Sequence, residues 1–135
     1  MSNKQAHLDM IQAVVNRLAH CSFLLKGWSV ILASALFALG ARGHNPVFAA
    51  LAGFPALAFW GLDGYFLRQE RLFRKLYDHV RLLNEADVDF SMDVSGLQSQ
   101  VDPWLRVAFS KTLSAFHGVV AASILIVWIF IFTRG

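Results

Sequence analysis

Two opposite charges stand alone inside long apolar stretches of this sequence. Lys26 is the one charged residue between positions 23 and 41, and Asp63 is the one between positions 46 and 67. An isolated charge in an apolar medium is costly, so ionisable groups in such places usually face protein and pair with one another. The chemistry to expect from these two residues is therefore an ion pair.

The other reactive side chains form no catalytic pattern. The single cysteine, Cys21, excludes a disulfide within the chain. No glycine-rich phosphate loop, nucleophile elbow or pair of catalytic carboxylates is present. The histidines are scattered without metal-ligand spacing, at His7, His20, His44, His79 and His117. We expect a protein that is not an enzyme and that holds no cofactor and no metal.

Composition places the chain among membrane proteins. Of its 135 residues 56% are hydrophobic, and nearly all charges lie before or between three apolar runs. A helix needs roughly 20 mostly apolar residues to cross about 30 Å of hydrocarbon, which predicts an all-α integral membrane protein with one membrane domain. The predicted order is an amphipathic N-terminal helix at 4–22, membrane helices at 23–41 and 46–67, a cytoplasmic stalk helix at 68–83, an acidic linker at 84–102, an interfacial helix at 103–112 and a third membrane helix at 113–132.

A short turn joins the first two membrane segments and predicts an antiparallel transmembrane hairpin. Lys26 lies 18 residues before His44, and Asp63 lies 18 residues after Asn45. The two charges should therefore lie at the same depth, near the cytoplasmic face. They form an ion pair, within or between subunits, or each reaches separately to the lipid headgroups.

The stalk helix carries a heptad-like apolar stripe. A stripe of this kind suits a seam between helices, either between subunits or against the N-terminal helix. The seam comprises Phe66, Phe73, Leu76, Val80 and Leu83. A cytoplasmic basic cluster begins where the apolar run stops, at Arg68, Arg71, Arg74 and Lys75.

The N-terminal helix and the acidic linker each have two interpretations. Leu8, Ile11, Val15 and Leu18 share one face of the helix, which favours packing on the stalk over an interfacial helix or a partner-binding arm. Four carboxylates within nine residues of the linker, at Glu85, Asp87, Asp89 and Asp93, lack calcium-loop spacing, which favours a solvated linker over a metal site.

The third membrane segment offers small residues and one histidine. Ser114, Gly118 and Ala122 recur every four residues, a spacing that allows close helix packing. A helix N-terminus is predicted at Asp102, followed by Pro103. His117 lies about one turn inside the segment, where we expect one hydrogen bond to a neighbouring helix.

The distribution of Lys and Arg predicts the topology. The N-terminal arm and the 68–111 segment carry nine of these residues, against two in the turn and the C-terminal tail. Basic flanks stay in the cytoplasm. We therefore expect the N-terminus and the 68–111 segment to be cytoplasmic and the C-terminus to lie outside, in a bacterial inner membrane.

Two sequence runs resemble a known family. SFLLKGW at 22–28 and FWGLDGYFLRQERLFRKLYD at 59–78 are similar to small bacterial multi-pass membrane proteins of the SLATT type, which are defence-associated effectors with two transmembrane helices. The similarity covers residues 8–83 and is strongest at Lys26, Gly27, Trp28, Asp63, Arg71, Arg74 and Tyr77. This chain departs from the class by a third apolar segment and by the lack of a recognisable sensor domain.

The resemblance implies an oligomer that perturbs inner-membrane permeability or potential in antiviral defence, on a signal from a cytoplasmic partner. It carries over no catalytic residues. The implied partners are membrane lipids, further copies of the chain and a defence-system protein, without direct binding to nucleic acid. The alternative is a non-conducting scaffold that anchors a soluble cytoplasmic protein. A transporter subunit is disfavoured because the membrane segments lack polar residues at mid-depth.

Overall fold

The computed structural model describes residues 2–43 and 45–134, and this part of the chain is helical without β-strands. Its helices are α1 (Asn3–Gly43), α2 (Pro46–Arg81), α3 (Trp104–Ala108) and α4 (Lys111–Arg134), with short 3₁₀ helices at Glu85–Asp87 and Ser95–Gln100. Helices α1, α2 and α4 are each long and apolar enough to cross a membrane. An all-α, multi-pass membrane protein accounts for these features.

Helices α1 and α2 continue through the predicted segment boundaries at 22/23 and 67/68. With 41 and 36 residues, they are about 60 and 54 Å long at 1.5 Å per residue. A membrane core of about 30 Å cannot contain either helix. Each therefore combines an apolar half with a half that extends beyond the apolar region.

The second helix begins at the predicted proline. The Asn45 side chain accepts a hydrogen bond of 3.0 Å from the Val47 amide, and Pro46 occupies the first turn, where a missing N–H costs nothing. His44 of the predicted turn lies outside the described residues. Helices α1 and α2 run antiparallel, because Gly40 lies near Phe48 at one end while Ile11 packs with Leu76 at the other.

The N-terminal part of α1 packs on the stalk. Ile11 and Val15 form a buried cluster with Leu76 and Val80. Seven further apolar residues pack against this cluster, namely Leu8, Phe73, Tyr77, Leu83, Met92, Val94 and Leu97. Most of the predicted seam is therefore covered within the chain, with Phe73 and Leu83 partly buried, while Phe66 is half-buried and stands outside this cluster.

The acidic linker is more ordered than a solvated segment would be. Glu85 Oε1 accepts hydrogen bonds from the backbone amides of Asn3 at 2.6 Å and Lys4 at 3.3 Å, where the dipole of α1 favours a negative charge. At the other end of the linker, Arg68 donates to Gln98 Oε1 at 2.7 Å and to the Asp102 carbonyl at 3.0 Å. Both ends are thus fastened to the long helices.

The predicted interfacial helix at 103–112 is divided. Helix α3 ends at Ala108 and α4 starts at Lys111. The N-cap position of α3 is Pro103 rather than Asp102, and no side chain caps the helix.

The predicted packing face of the third membrane helix makes no close contact within the described chain. Ala122 is exposed, Ser114 is half-buried, and a Cβ added at Gly118 would meet no atom within 4 Å. Helix α4 instead buries Leu113, His117, Ile124 and Ile131. The small-residue face therefore points away from the rest of the chain.

Among the described glycines, the closest approach to a neighbouring helix is at Gly64, next to Asp63. A Cβ on Gly64 would lie 2.9 Å from Ala108 Cβ and 3.1 Å from Ala108 Cα. Glycine is therefore required here by space, since any side chain would push α3 away from α2. A Cβ added to Gly53, on the same helix, would meet no atom within 4 Å.

We expect Gly64→Ala to lower the free energy of unfolding by about 1–3 kcal/mol through overpacking. Gly53→Ala should raise it by up to about 1 kcal/mol, because alanine is the better helix former. Unfolding of the purified protein in mixed detergent micelles measures both changes. Equal stabilisation by the two substitutions would contradict the close contact between α2 and α3.

Candidate functional site

A cluster of polar side chains joins the three long helices at one level. Ser22 and Lys26 come from α1, Asp63 comes from α2, and His117 comes from α4. Lys26, Asp63 and His117 lie within the segments that the sequence predicts to be membrane-spanning. We call these four residues the Asp63 cluster.

The Asp63 carboxylate is the centre of the cluster. Its Oδ2 lies 2.6 Å from Lys26 Nζ and 2.7 Å from His117 Nε2, and its Oδ1 accepts a hydrogen bond from the Ser22 hydroxyl. Lys26 Nζ also donates to Ser22 Oγ at 2.9 Å. The ammonium and carboxylate that the spacing places at equal depth are therefore in direct contact within one chain.

Burial is uneven within the cluster. The Asp63 side chain is 0% exposed and that of His117 is 1% exposed, whereas the Lys26 side chain keeps 22% of its surface. A buried carboxylate needs its lone pairs satisfied, because removing an ion from water costs several kcal/mol. Three donors on three sides supply that compensation.

The hydrogen bonds fix the proton on the imidazole. An ionised carboxylate only accepts, so His117 Nε2 must carry the hydrogen that points at Asp63. His117 Nδ1 is buried without a hydrogen-bond partner among the described residues. A neutral His117 leaves the Lys26–Asp63 pair electrically balanced, and a protonated His117 would add one positive charge.

Aromatic rings hold His117 in place. The Trp60 ring stacks on the imidazole, with centroids 5.8 Å apart and planes 12° apart. Trp60 Nε1 donates to the Ala108 carbonyl at 2.7 Å, an acceptor at the end of α3. In return, Trp104 Nε1 of α3 donates to the Gly61 carbonyl at 2.9 Å. The two tryptophans therefore tie α3 to α2 beside the cluster.

The basic cluster does not act as one site. Arg68 is engaged with the linker, and Arg74 Nη2 pairs with Glu70 at 2.8 Å. Arg71 and Lys75 have no carboxylate within 4 Å in the described chain, and they line a cavity of about 350 Å³. The contacts of the cluster are therefore divided, with Arg68 bound to the linker and Arg74 to its own helix.

The sequence spacing predicts two of the four residues of the Asp63 cluster, Lys26 and Asp63. His117 was expected to make one hydrogen bond, but its partner was not identified, and Ser22 was not singled out for a role. A signal was available for each. Ser22 lies one helical turn before Lys26, and His117 is the one ionisable side chain of the predicted third segment.

Among the described residues, no group of three or more His, Cys, Asp or Glu side chains could hold a metal ion.

We expect Asp63→Asn to lower the free energy of unfolding by about 3 kcal/mol, since it leaves Lys26 partly buried without a counter-charge. Lys26→Met should cost at least as much, because it leaves the fully buried Asp63 carboxylate without its cationic partner. The double substitution should cost less than the sum of the two single ones, which a double-mutant cycle on the purified protein measures. Glu70→Gln, which removes the charge from an i,i+4 pair with the exposed Arg74 side chain, is the control and should cost less than about 1 kcal/mol. Strictly additive losses for Lys26 and Asp63 would show that the two residues do not interact.

The comparisons with known proteins found no relative of this chain. No model of a known protein family matches the chain, and neither does any curated protein or solved structure. The function therefore has to be inferred from the geometry of the Asp63 cluster and from the resemblance of residues 22–28 and 59–78 to SLATT-type proteins.

Proposed function

We propose that the protein is an oligomeric effector of the bacterial inner membrane that perturbs membrane permeability or potential. The observation that carries the proposal is the fully enclosed Asp63 carboxylate, bound by side chains from two other long helices. Ionisable residues inside membrane segments mark ion paths, proton relays or switches far more often than structural accidents. The resemblance of residues 22–28 and 59–78 to SLATT-type proteins supports a role in antiviral defence.

The proposed topology puts the cluster close to the cytoplasm. Nine flanking bases on one side against two on the other favour a cytoplasmic N-terminus and 68–111 segment. Asp63 is four residues before Leu67, where the apolar run ends, and therefore lies about one helical turn inside the membrane. A partner that displaced the stalk or the linker would act next to the charges that tie the helices together.

Permeation on this proposal requires several copies. The cavity between α2 and α4 in the described chain is about 300 Å³ and is lined by apolar residues such as Ala49, Ile124 and Trp128. Apolar walls do not conduct ions, so a polar path has to form between protomers. The outward face of α4 with Gly118 and Ala122 offers a surface for close helix contact.

A scaffold is the second candidate, and the ordered cytoplasmic surface favours it. Glu85 and Arg68 fasten both ends of the linker. Arg71 and Lys75 stand beside Gln100 and Asp102 around an open cavity. A rigid surface with charges of both signs suits a soluble protein partner, and this function would need no ion flow.

Expression of the wild-type chain in bacteria should depolarise the inner membrane, as reported by a voltage-sensitive dye. Asp63→Asn at equal abundance should not, because the carboxylate sets the relative positions of α1, α2 and α4. Glu70→Gln neutralises another carboxylate of the same helix, one that is 13% exposed and pairs with Arg74 outside the Asp63 cluster, and should behave as wild type.

Depolarisation by Asp63→Asn equal to that of wild type would separate the cluster from the activity. If the wild type causes neither depolarisation in cells nor ion leak from liposomes holding purified protein, the permeability proposal fails. Retention of a soluble cytoplasmic protein by the 68–111 segment would then favour the scaffold.

Gly118→Leu should weaken self-association while leaving the protomer folded. A side chain at position 118 meets open space within the chain but would keep a second copy from close approach. Cross-linking in membranes and light scattering in detergent measure the oligomer, and Val119→Leu on the exposed neighbouring position is the control. An unchanged oligomer would move the subunit contact away from this face.

A further inference from the structure

A polar cavity lies near the N-terminus of α1. His7 in its wall is about 28 Å along α1 from Lys26, at 1.5 Å per residue. The cavity has a volume of about 410 Å³ and opens between α1, the end of α2 and the acidic linker. Asp87, Asp89 and Asp93 contribute its carboxylates. Among the described residues no Lys or Arg lines it, so its charge is strongly negative. We call it the linker cavity.

The wall of the linker cavity contains a buried nitrogen without a partner. His7 is 0% exposed, and its Nε2 lies 2.9 Å from the Ser91 carbonyl oxygen. A carbonyl only accepts, so Nε2 carries the hydrogen, and Nδ1 of the neutral ring is then an acceptor. This Nδ1 has no hydrogen-bond partner in the described chain. A buried acceptor of this kind is satisfied by water or by a donor from a bound molecule.

The carboxylates keep accepting capacity although two of them also order the linker. Asp89 accepts from the Ser91 amide at 3.0 Å, and Asp93 accepts from the Ser95 amide at 2.9 Å. The hydrogen bonds from Ser95 lower the pKa of Asp93, so this group is ionised at neutral pH. A carboxylate has about four lone-pair sites, and one amide leaves most of them open.

The rest of the wall is apolar. Leu76, Val80 and Leu97 line the cavity beside the charged groups. A bare metal ion suits neither these residues nor the arrangement of carboxylates, which provides no metal-binding group in the described chain. A ligand with N–H donors suits His7 Nδ1, its positive charge suits the carboxylates, and its methylene groups suit the apolar wall.

We propose that the linker cavity binds an aliphatic diamine or polyamine. One ammonium donates to His7 Nδ1 and to the linker carboxylates, and the methylene chain lies along the leucine and valine side chains. This inference is independent of the proposed effect on membrane permeability, because none of the four residues of the Asp63 cluster lines the linker cavity.

Calorimetric titration of the full chain in lipid nanodiscs with putrescine tests the proposal. We expect saturable binding that Asp87→Asn weakens about three- to fivefold, the size of one partly exposed charge contact. Asp9→Asn removes the same charge from the exposed side of α1 and should leave the affinity unchanged. Magnesium chloride at matched ionic strength and 1,4-butanediol should produce no saturable heat.

A nuclear magnetic resonance measurement reports on His7 directly. In protein labelled with ¹⁵N-histidine, the Nδ1 resonance of His7, assigned by its loss in His7→Gln, should shift on addition of putrescine and stay unchanged with magnesium. Absence of saturable binding, equal weakening by Asp9→Asn, or an unmoved His7 resonance on saturation would each overturn the proposal.

Discussion

The fold depends on one buried carboxylate. Asp63 has no exposed surface, and leaving it without partners would cost more than any single apolar contact in this small protein provides. Its two oxygens are shared among Lys26, Ser22 and His117, so the helices that carry these donors must meet at one level. The contact at Gly64 and the Trp60–Ala108 bond then hold α3 against the same level.

The direction in which α4 faces follows from this constraint. Once His117 points at Asp63, the residues one to four turns away on the same side are buried with it, namely Leu113, Ile124 and Ile131. Ser114, Gly118 and Ala122 are then turned outward or to the side. In a lipid environment apolar residues gain little by facing protein, so one strong polar bond outweighs a stripe of small residues in setting helix rotation.

The sequence predicted what depends on short-range geometry. Helix character, three apolar segments and the equal depth of Lys26 and Asp63 follow from length, hydropathy and a short turn. The position of α4 does not, because a linker of about 20 residues allows many ways of docking the third helix. The same limit applies to the stalk seam, since a heptad stripe specifies an apolar partner without saying whether α1 or another subunit provides it. The carboxylates of the linker likewise gave no indication that Glu85 caps α1, a contact between residues more than 80 positions apart.

The two polar sites of the molecule stand on the same pair of uninterrupted helices. The Asp63 cluster joins α1 and α2 in their apolar halves, and the linker cavity lies where both helices end beyond the apolar region. Between Lys26 and His7, α1 packs on α2 through Ile11 and Val15 against Leu76 and Val80, the last two of which also line the linker cavity, and neither backbone is broken. A helix transmits a rigid shift or rotation along its length, whereas a chain broken at the membrane surface would absorb it. Coupling between the sites would still require two discrete arrangements of α1 on α2. The Asp63 cluster is the place where such arrangements would differ most in energy, because its charges lose their partners as soon as the helices slide past one another.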